Sequence, residues 1–210
     1  MTAQFTIPAS TLQAALLSVA KKDVRYYLNG VYLDLPAGLI VSTDGHRCFI
    51  GKLPDDAPRS IPPVIVPSET VTAALKGITP KMKRMLDVLV TINGEAPART
   101  VSFTVGASTV AGAEIDGRFP DYARIVPVKC SGEVGTYNPD YLADARDALN
   151  WYTGNTLKAC DLWQNGTSGA VAHMGADVAA LVVIMPTRAG DPSDMPDLIG
   201  RGPVAVATAA

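Results

Sequence analysis

Asp44, His46 and Cys48 lie within five residues of one another and include the side chains of an activated thiol nucleophile. A strand here would place His46 beside Cys48, because alternate residues of a strand share a face, yet nothing would orient the histidine. The only other histidine is His173, and the sequence contains no HxH, HExxH or clustered carboxylates that would indicate a metal site. Nucleotide-binding glycine loops are also missing from the sequence. We therefore predict a protein that is not an enzyme, needs no cofactor or metal, and carries His46 at a binding surface.

Composition favours a globular protein of the reducing cytoplasm. Of its 210 residues, 48% are hydrophobic and 18% charged, which suffices to fill a core. Cys48, Cys130 and Cys160 lie far apart without a CxxC pair, so we expect neither a disulfide framework nor zinc. The first residues do not resemble a signal peptide. The strongly apolar run Ala179–Pro186 is far shorter than the ~20 residues that span a bilayer, so we expect no membrane partner and interpret this run as a buried strand.

A net charge of -2 provides no global positive field, so any contact with nucleic acid must come from a local patch, and the chain contains two basic clusters. The first cluster contains Lys21, Lys22 and Arg25, followed by Tyr26 and Tyr27; the second contains Lys76, Lys81, Lys83 and Arg84. Both clusters follow predicted helices. Cations are favoured at helix C-termini in any case, so ordinary solvated helix ends explain the clusters equally well.

The elements that must position these residues form an internal repeat. An extended segment, a proline and an amphipathic helix recur three times, with helices predicted over 9–20, 68–77 and 140–151. Three strand-like segments follow each helix, at 30–35, 38–43 and 46–53, at 85–92, 100–105 and 108–115, and at 156–164, 169–174 and 178–185. Asp44-Gly45 predicts a tight hairpin, and 54–63 a linker. The shared order favours an α+β fold of three strand-helix-three-strand units over three unrelated α+β pieces.

Three segments carry a resemblance to one family. They are Asp23–Gly30 with Thr43–Arg47, Asp116–Tyr122 continuing to Pro127, and Val183–Arg188. In this order they resemble the beta sliding clamp of bacterial DNA polymerase III, which implies the DNA-clamp (processivity) fold. In that family each subunit has three domains of two units. Residues 1–127 resemble the middle domain, 128–190 resemble the second half of the last domain, and 191–210 are predicted to be a flexible tail.

The resemblance implies a peptide-binding pocket for DNA polymerase and other replication or repair proteins. Its lining maps onto Leu28, Thr43, Gly45, His46, Arg47, Pro120, Arg124, Ile125, Val183, Met185, Pro186, Thr187 and Arg188. Cys48 and Thr187 depart from the leucine-like residue and the methionine that are common in the family. The alternative interpretation is that these residues simply close two halves of the protein against each other.

The resemblance also implies a DNA polymerase processivity factor that binds duplex DNA as an oligomeric ring. Clamps line the ring with basic helices, so the resemblance implies that the two basic clusters contact duplex DNA, and Tyr26-Tyr27 resemble a loop that contacts DNA in the family. A ring of this kind contains twelve units, so three units per chain predict a homotetramer. The predicted third helix suits phosphate poorly, because Arg146 lies among Asp140, Asp144 and Asp147. The alternative is a peptide-binding module, a decoy or adaptor, that does not encircle DNA.

Overall fold

Two antiparallel sheets carry the helices of the protein. The computed structural model describes residues 2–155, 159–175 and 178–188. Its strands are β1 (Thr2–Pro8), β2 (Gly30–Asp34), β3 (Leu39–Thr43), β4 (Arg47–Lys52), β5 (Val64–Pro67), β6 (Asp87–Asn93), β7 (Thr100–Val105), β8 (Ser108–Ala113), β9 (Asp161–Trp163), β10 (Ala170–His173) and β11 (Ala180–Ile184). Its helices are α1 (Ala9–Leu16), α2 (Ser68–Ala74), α3 (Pro80–Lys83) and α4 (Pro139–Thr153).

The first two units exchange their first strands. The smaller sheet has the order β1-β6-β7-β8, and the larger has the order β5-β2-β3-β4-β11-β10-β9. The first strand of unit one therefore pairs in the sheet of unit two, and the first strand of unit two pairs in the sheet of unit one. This exchange ties both units together through backbone hydrogen bonds that are distant in sequence.

The third unit joins the first through antiparallel pairing of β4 with β11. Phe49 lies opposite Val182, and Cys48 lies opposite Val183. On one face of this joint sheet, Phe49 and Val182 are fully buried in the main core together with Leu149 of α4. Helices α1 and α4 pack against each other on that face. The sheet therefore continues from unit one into unit three, with one helix layer behind it.

Helix limits follow from capping and turn chemistry. The Asn138 side chain accepts a hydrogen bond from the Asp140 N–H at 2.9 Å, Pro139 occupies the first turn, and Gly154 ends α4 at φ 69°. Helix α1 ends at Leu16, earlier than predicted, because the chain turns so that the Ala20 N–H donates to the Leu28 carbonyl. Helix α2 is also shorter than predicted and ends at Ala74.

The strand predictions are confirmed within a few residues where the structure describes them, with one exception. The extended segment expected before α4 contributes only an isolated bridge between Thr136 and Thr187. Part of the predicted strand at 156–164 and the whole of the 191–210 tail lie outside the described residues. Helix α3 was not predicted; the Thr79 side chain caps it by accepting from the Met82 N–H.

Within the described part of the chain, no helix is long and apolar enough to cross a membrane.

A buried ion pair closes unit two onto the linker that precedes it. Arg99 and Glu114 pair at 2.7 Å with side chains 6% and 4% exposed. The same guanidinium donates to the carbonyls of Pro62 and Pro63, immediately before β5. A buried cation in this position depends on its partner, because its desolvation is offset by pairing.

Glu114→Gln should therefore destabilise the protein. Loss of the carboxylate leaves the Arg99 charge unpaired, and we expect the free energy of unfolding in urea to fall by about 3 kcal/mol. Glu95→Gln, at an exposed position on the β6–β7 connection, is the matched control and should change stability by less than about 0.5 kcal/mol. Equal stability of the two variants would contradict a structural role for the pair.

Candidate functional site

An apolar cavity of about 230 Å³ lies where unit one, unit three and the connection after unit two meet. This connection, residues 116–135, is called the second linker. It is lined by Arg25, Leu28, Thr43, Gly45, Arg47, Cys48, Pro120, Asp121, Tyr122, Ile125, Val183 and Met185. The β4–β11 register sets its floor, since Cys48 and Val183 lie opposite each other and are both fully buried. Ile125 and Met185 are 40% and 37% exposed at its mouth, so the cavity is open to an incoming apolar side chain.

The β3–β4 turn forms one wall and is held by its own side chains. Asp44 accepts hydrogen bonds from the N–H groups of His46 and Arg47, at 2.9 and 3.0 Å. The Thr43 hydroxyl accepts from the Gly45 N–H and donates to the Arg47 carbonyl. Gly45 adopts φ 91°, a conformation that favours glycine, and the predicted hairpin is confirmed with a connection at residues 44–46.

Arg47 connects this turn to unit three. Its guanidinium pairs with Asp44 at 3.1 Å and with Asp144 of α4, and it lies 4.8 Å from the centre of the Tyr141 ring. His46 stacks against the same tyrosine, with ring centres 5.9 Å apart. These contacts fix the wall of the cavity to the helix of another unit.

The wall that the second linker forms is anchored by aromatic packing. Phe119 is 7% exposed and stacks on Tyr32 of β2 at 4.5 Å. The Tyr122 hydroxyl donates a hydrogen bond to the Asp34 carboxylate at 2.7 Å. The pKa of Tyr122 is raised, first by burial and second by this hydrogen bond. Between these two anchors the chain carries Pro120 along the cavity, and Ile125 follows at its mouth.

The structure places eight of the thirteen predicted pocket residues in the cavity lining and five outside it. Those in the lining are Leu28, Thr43, Gly45, Arg47, Pro120, Ile125, Val183 and Met185. Outside it are His46, Arg124, Pro186, Thr187 and Arg188. Thr187 is engaged elsewhere, since its N–H and hydroxyl both donate to the Thr136 carbonyl. His46, Arg124 and Arg188 are exposed and lie within three residues of a lining residue in sequence, so they remain candidates for its rim.

Four lining residues were missing from the predicted set. They are Arg25, Cys48, Asp121 and Tyr122. Arg25 was assigned to DNA, but its guanidinium packs against Gly45, donates to the Asp44 carbonyl and pairs with Asp23 at 2.7 Å. Hydrogen bonds from Arg25 lower the pKa of Asp23 to about 2. Arg25 precedes Leu28 by three residues, which indicates that both belong to one turn and could have identified Arg25 as a lining residue. Cys48 could have been identified because it replaces a leucine-like residue of the family.

A second cavity brings part of the basic set together. A groove of about 630 Å³ between α1 and α2 includes Lys21, Lys76 and Lys83, which come from three separate segments. Lys83 is half-buried, donates to the Gln13 side chain at 2.7 Å, and burial lowers its pKa. Lys21 and Lys76 are exposed.

The remaining predicted DNA contacts lie at different places. Lys22 and Lys81 are exposed, whereas Arg84 lies 4.3 Å from the centre of the Trp151 ring on α4. Tyr26 and Tyr27 contact each other edge to face at 5.7 Å, and Tyr26 is 56% exposed.

Solved structures identify the class of this fold. A crystal structure of the DNA polymerase sliding clamp from Pseudomonas aeruginosa matches with a TM-score of 0.68, covering 89% of this chain and 66% of that chain at 21% identity. The sliding clamp from Caulobacter crescentus matches with a TM-score of 0.62, covering 90% and 66% at 19% identity. The architecture is therefore that of the sliding clamps, and the predicted DNA-clamp fold is confirmed.

Sequence comparison identifies the family within that class. The model of the DNA polymerase III beta subunit, central domain, matches residues 6–121, more than half of the chain. The chain belongs to this family. The beta sliding clamp of Salmonella typhimurium is 35% identical over 136 residues, 59% of this chain and 34% of the relative. That of Caulobacter vibrioides is 31% identical over 140 residues, 63% and 35%. This chain thus spans about a third of the length of the curated relatives it matches.

The cavity floor can be tested through its cysteine. Burial raises the pKa of the Cys48 thiol to about 12, so at pH 8 the group stays protonated as well as shielded. Cys130 is half-buried in the second linker and should be alkylated by iodoacetamide at least about tenfold faster than Cys48, as followed by peptide mass mapping. In urea the two rates should converge. Equal rates in the native protein would contradict the closed floor.

Proposed function

We propose that this protein is a non-enzymatic, cytoplasmic DNA polymerase processivity factor that recruits replication or repair proteins through the cavity at the junction of units one and three. The observation that carries the proposal is the composite wall: unit one, the second linker and unit three each supply part of one apolar cavity. An open, apolar cavity at a junction between separate parts of a fold is a common position for a ligand site.

The chemistry of the cavity suits a short peptide with large apolar anchors. Leu28 and Val183 provide a buried apolar interior, and the half-exposed Met185 can close over an incoming side chain. Burying one leucine or phenylalanine side chain contributes about 1.5–3 kcal/mol. His46, Arg124 and Arg188 are exposed nearby and are suited to carbonyl or acidic groups of the peptide.

Met185→Ala should weaken binding of a fluorescent five-residue peptide that ends in Leu-Phe. Because the variant removes apolar contact at the mouth of the cavity, we expect the Kd from fluorescence anisotropy to rise about tenfold or more. Met85→Ala is the matched control, since Met85 is 74% exposed in unit two and does not line the cavity. The proposal fails if the wild-type protein discriminates poorly between this peptide and a scrambled version, or if both variants bind alike.

The α1–α2 groove supports the proposal that the protein contacts duplex DNA. Lys21 and Lys76 are exposed on the same groove, and flexible ammonium groups can meet phosphates without reading sequence.

Charge reversal of the groove should weaken DNA binding in a salt-dependent way. For Lys21→Glu with Lys76→Glu, the slope of log K against log salt should fall by about 0.9 for each phosphate that the protein no longer neutralises, measured by anisotropy on labelled duplex. Lys129→Glu is the control of equal charge change per site, placed at an exposed position in the second linker. An unchanged slope in the double variant would remove the groove from the DNA-binding surface.

A ring around DNA would need four copies of this three-unit chain to supply twelve units. The second candidate function is a peptide-binding module, a decoy or adaptor, that does not encircle DNA. One observation favours it: the cavity is complete within a single chain, so peptide binding requires no assembly. Solution mass discriminates between them, since the ring predicts a species of four 22.0 kDa chains and the module predicts a smaller one.

A further inference from the structure

Each of the two sheets has two edge strands, which are β1 and β8 in the smaller sheet and β5 and β9 in the larger. Other described residues cover three of these four edges. On β1, the N–H and hydroxyl of Thr6 both donate to the Asp56 carboxylate at 3.3 Å. On β5, the Ile65 carbonyl accepts from the Ile115 N–H at 2.9 Å. These contacts occupy backbone groups that would otherwise be available to a partner strand.

The sheet edge at β9 is covered by the segment that leads into α4. The Gln164 carbonyl, directly after β9, accepts from the Gly132 N–H at 3.0 Å. The Gly166 N–H donates to the Glu133 carbonyl at 2.9 Å. A head-to-tail contact of β8 with β9 would therefore have to displace this segment.

Strand β8 is the fourth edge strand, and its outward backbone groups pair with none of the residues that the structure describes. The Gly106-Ala107 turn joins Val105 to Ser108, and the Glu114 N–H donates to the Arg99 carbonyl. Even-numbered residues of β8 therefore bond to β7, because hydrogen-bonded pairs alternate along an antiparallel ladder. The N–H and carbonyl groups of Thr109, Ala111 and Ala113 point away from β7.

Natural edge strands are commonly protected by charge, proline or a bulge, and β8 carries none of these. Its six residues, Ser108–Ala113, include no Asp, Glu, Lys, Arg or Pro, and their pairing with β7 is regular throughout. An uncharged, regular and uncovered edge is suited to strand addition.

The same chain shows how such an edge is used. Strand β4 is the last strand of unit one, as β8 is the last strand of unit two. In both units a positive-φ glycine occupies the preceding turn, at Gly45 and Gly106. Six residues later each strand has a glycine, Gly51 or Gly112, whose missing Cβ leaves room for a helix side chain. Position 49 of β4 therefore corresponds to Val110 of β8.

The β4–β11 pairing gives the register. It extends from the hydrogen bond between the Met185 N–H and the His46 carbonyl to that between the Lys52 N–H and the Ala179 carbonyl. Its midpoint is Phe49 opposite Val182. Transferred to β8, this midpoint falls on Val110.

We propose that β8 binds β8 of a second copy of this chain, antiparallel and about a twofold axis at Val110. Thr109 then lies opposite Ala111 of the partner copy, and both outward residues exchange backbone hydrogen bonds. A sheet extended in this way is isologous, so the contact closes as a dimer. The inference stands independently of the peptide cavity and provides one of the two kinds of contact that a four-chain ring would need.

Ala111→Pro tests the contact by removing an outward N–H and adding a ring at the interface. Proline is tolerated on an edge strand where its N–H faces solvent, so the fold should survive. Ala111→Thr, which keeps the N–H and favours strands, is the matched control. In sedimentation equilibrium on the full chain, wild type and Ala111→Thr should associate to even-numbered species, with the Kd of association at least about tenfold weaker for Ala111→Pro.

A symmetric cross-link tests the register. In a Cys130→Ser, Cys160→Ser background, Val110→Cys should form a disulfide-linked dimer on mild oxidation, because residues opposite each other in such a pair lie about 4.5–5.5 Å apart at Cα. Ala113→Cys should not, since two copies of residue 113 would lie about 20 Å apart in this register.

Several results would overturn the proposal. A wild-type protein that stays monomeric at high micromolar concentration, or an Ala111→Pro variant that associates like wild type, excludes the β8 contact. A monomer that dimerises only after deletion of 189–210 shows that the chain covers its own edge. Peptide binding should be the same in Ala111→Pro and wild type, so the failure of either proposal can be recognised separately.

Discussion

Pairing of β4 with β11 is the constraint on which both the fold and the cavity depend. Phe49 and Val182 fill the main core on one face of this pair, while Cys48 and Val183 form the cavity floor on the other. A slip of one residue would exchange the two faces and bury the wrong set. The register is therefore specified twice, once by the core and once by the cavity.

The two arginines that line the cavity hold its walls in place more than they attract a ligand. Arg47 is largely buried, with its side chain 12% exposed, and is shared between Asp44 and Asp144. Arg25 is paired with Asp23 and held against the same turn. Both guanidinium groups are thus already paired, so the proposed peptide binding would gain its affinity mainly from the burial of apolar anchors.

The sequence was sufficient to predict elements whose signals are local. Proline-started helices, the turn at Asp44-Gly45 and the buried run that became β11 were all predicted, because capping, turn geometry and hydrophobic patterning act over a few residues. The early end of α1 was not, since a hydrogen bond from Ala20 to Leu28 sets it. Local propensity does not encode such contacts.

The site was predicted through family resemblance in its apolar part and less well at its rim. Leu28, Val183 and Met185 line the cavity as the resemblance implied. Arg25 was assigned to DNA because a basic residue at a helix end has the same appearance in sequence whichever way its side chain turns. Its direction depends on Asp23 and on the open backbone of Gly45, which are matters of tertiary contact.

A cavity built across a strand junction couples binding to assembly of the chain. Any ligand that contacts Leu28 of unit one and Val183 of unit three at once binds only when β4 and β11 are paired. Such a ligand stabilises the paired state by RT ln(1 + [L]/Kd), because it has no comparable site when the units separate. The short third unit needs this support more than the first two, since they exchange strands whereas its leading segment contributes a single bridge at Thr136. The proposed peptide binding would therefore also stabilise the attachment of unit three to unit one.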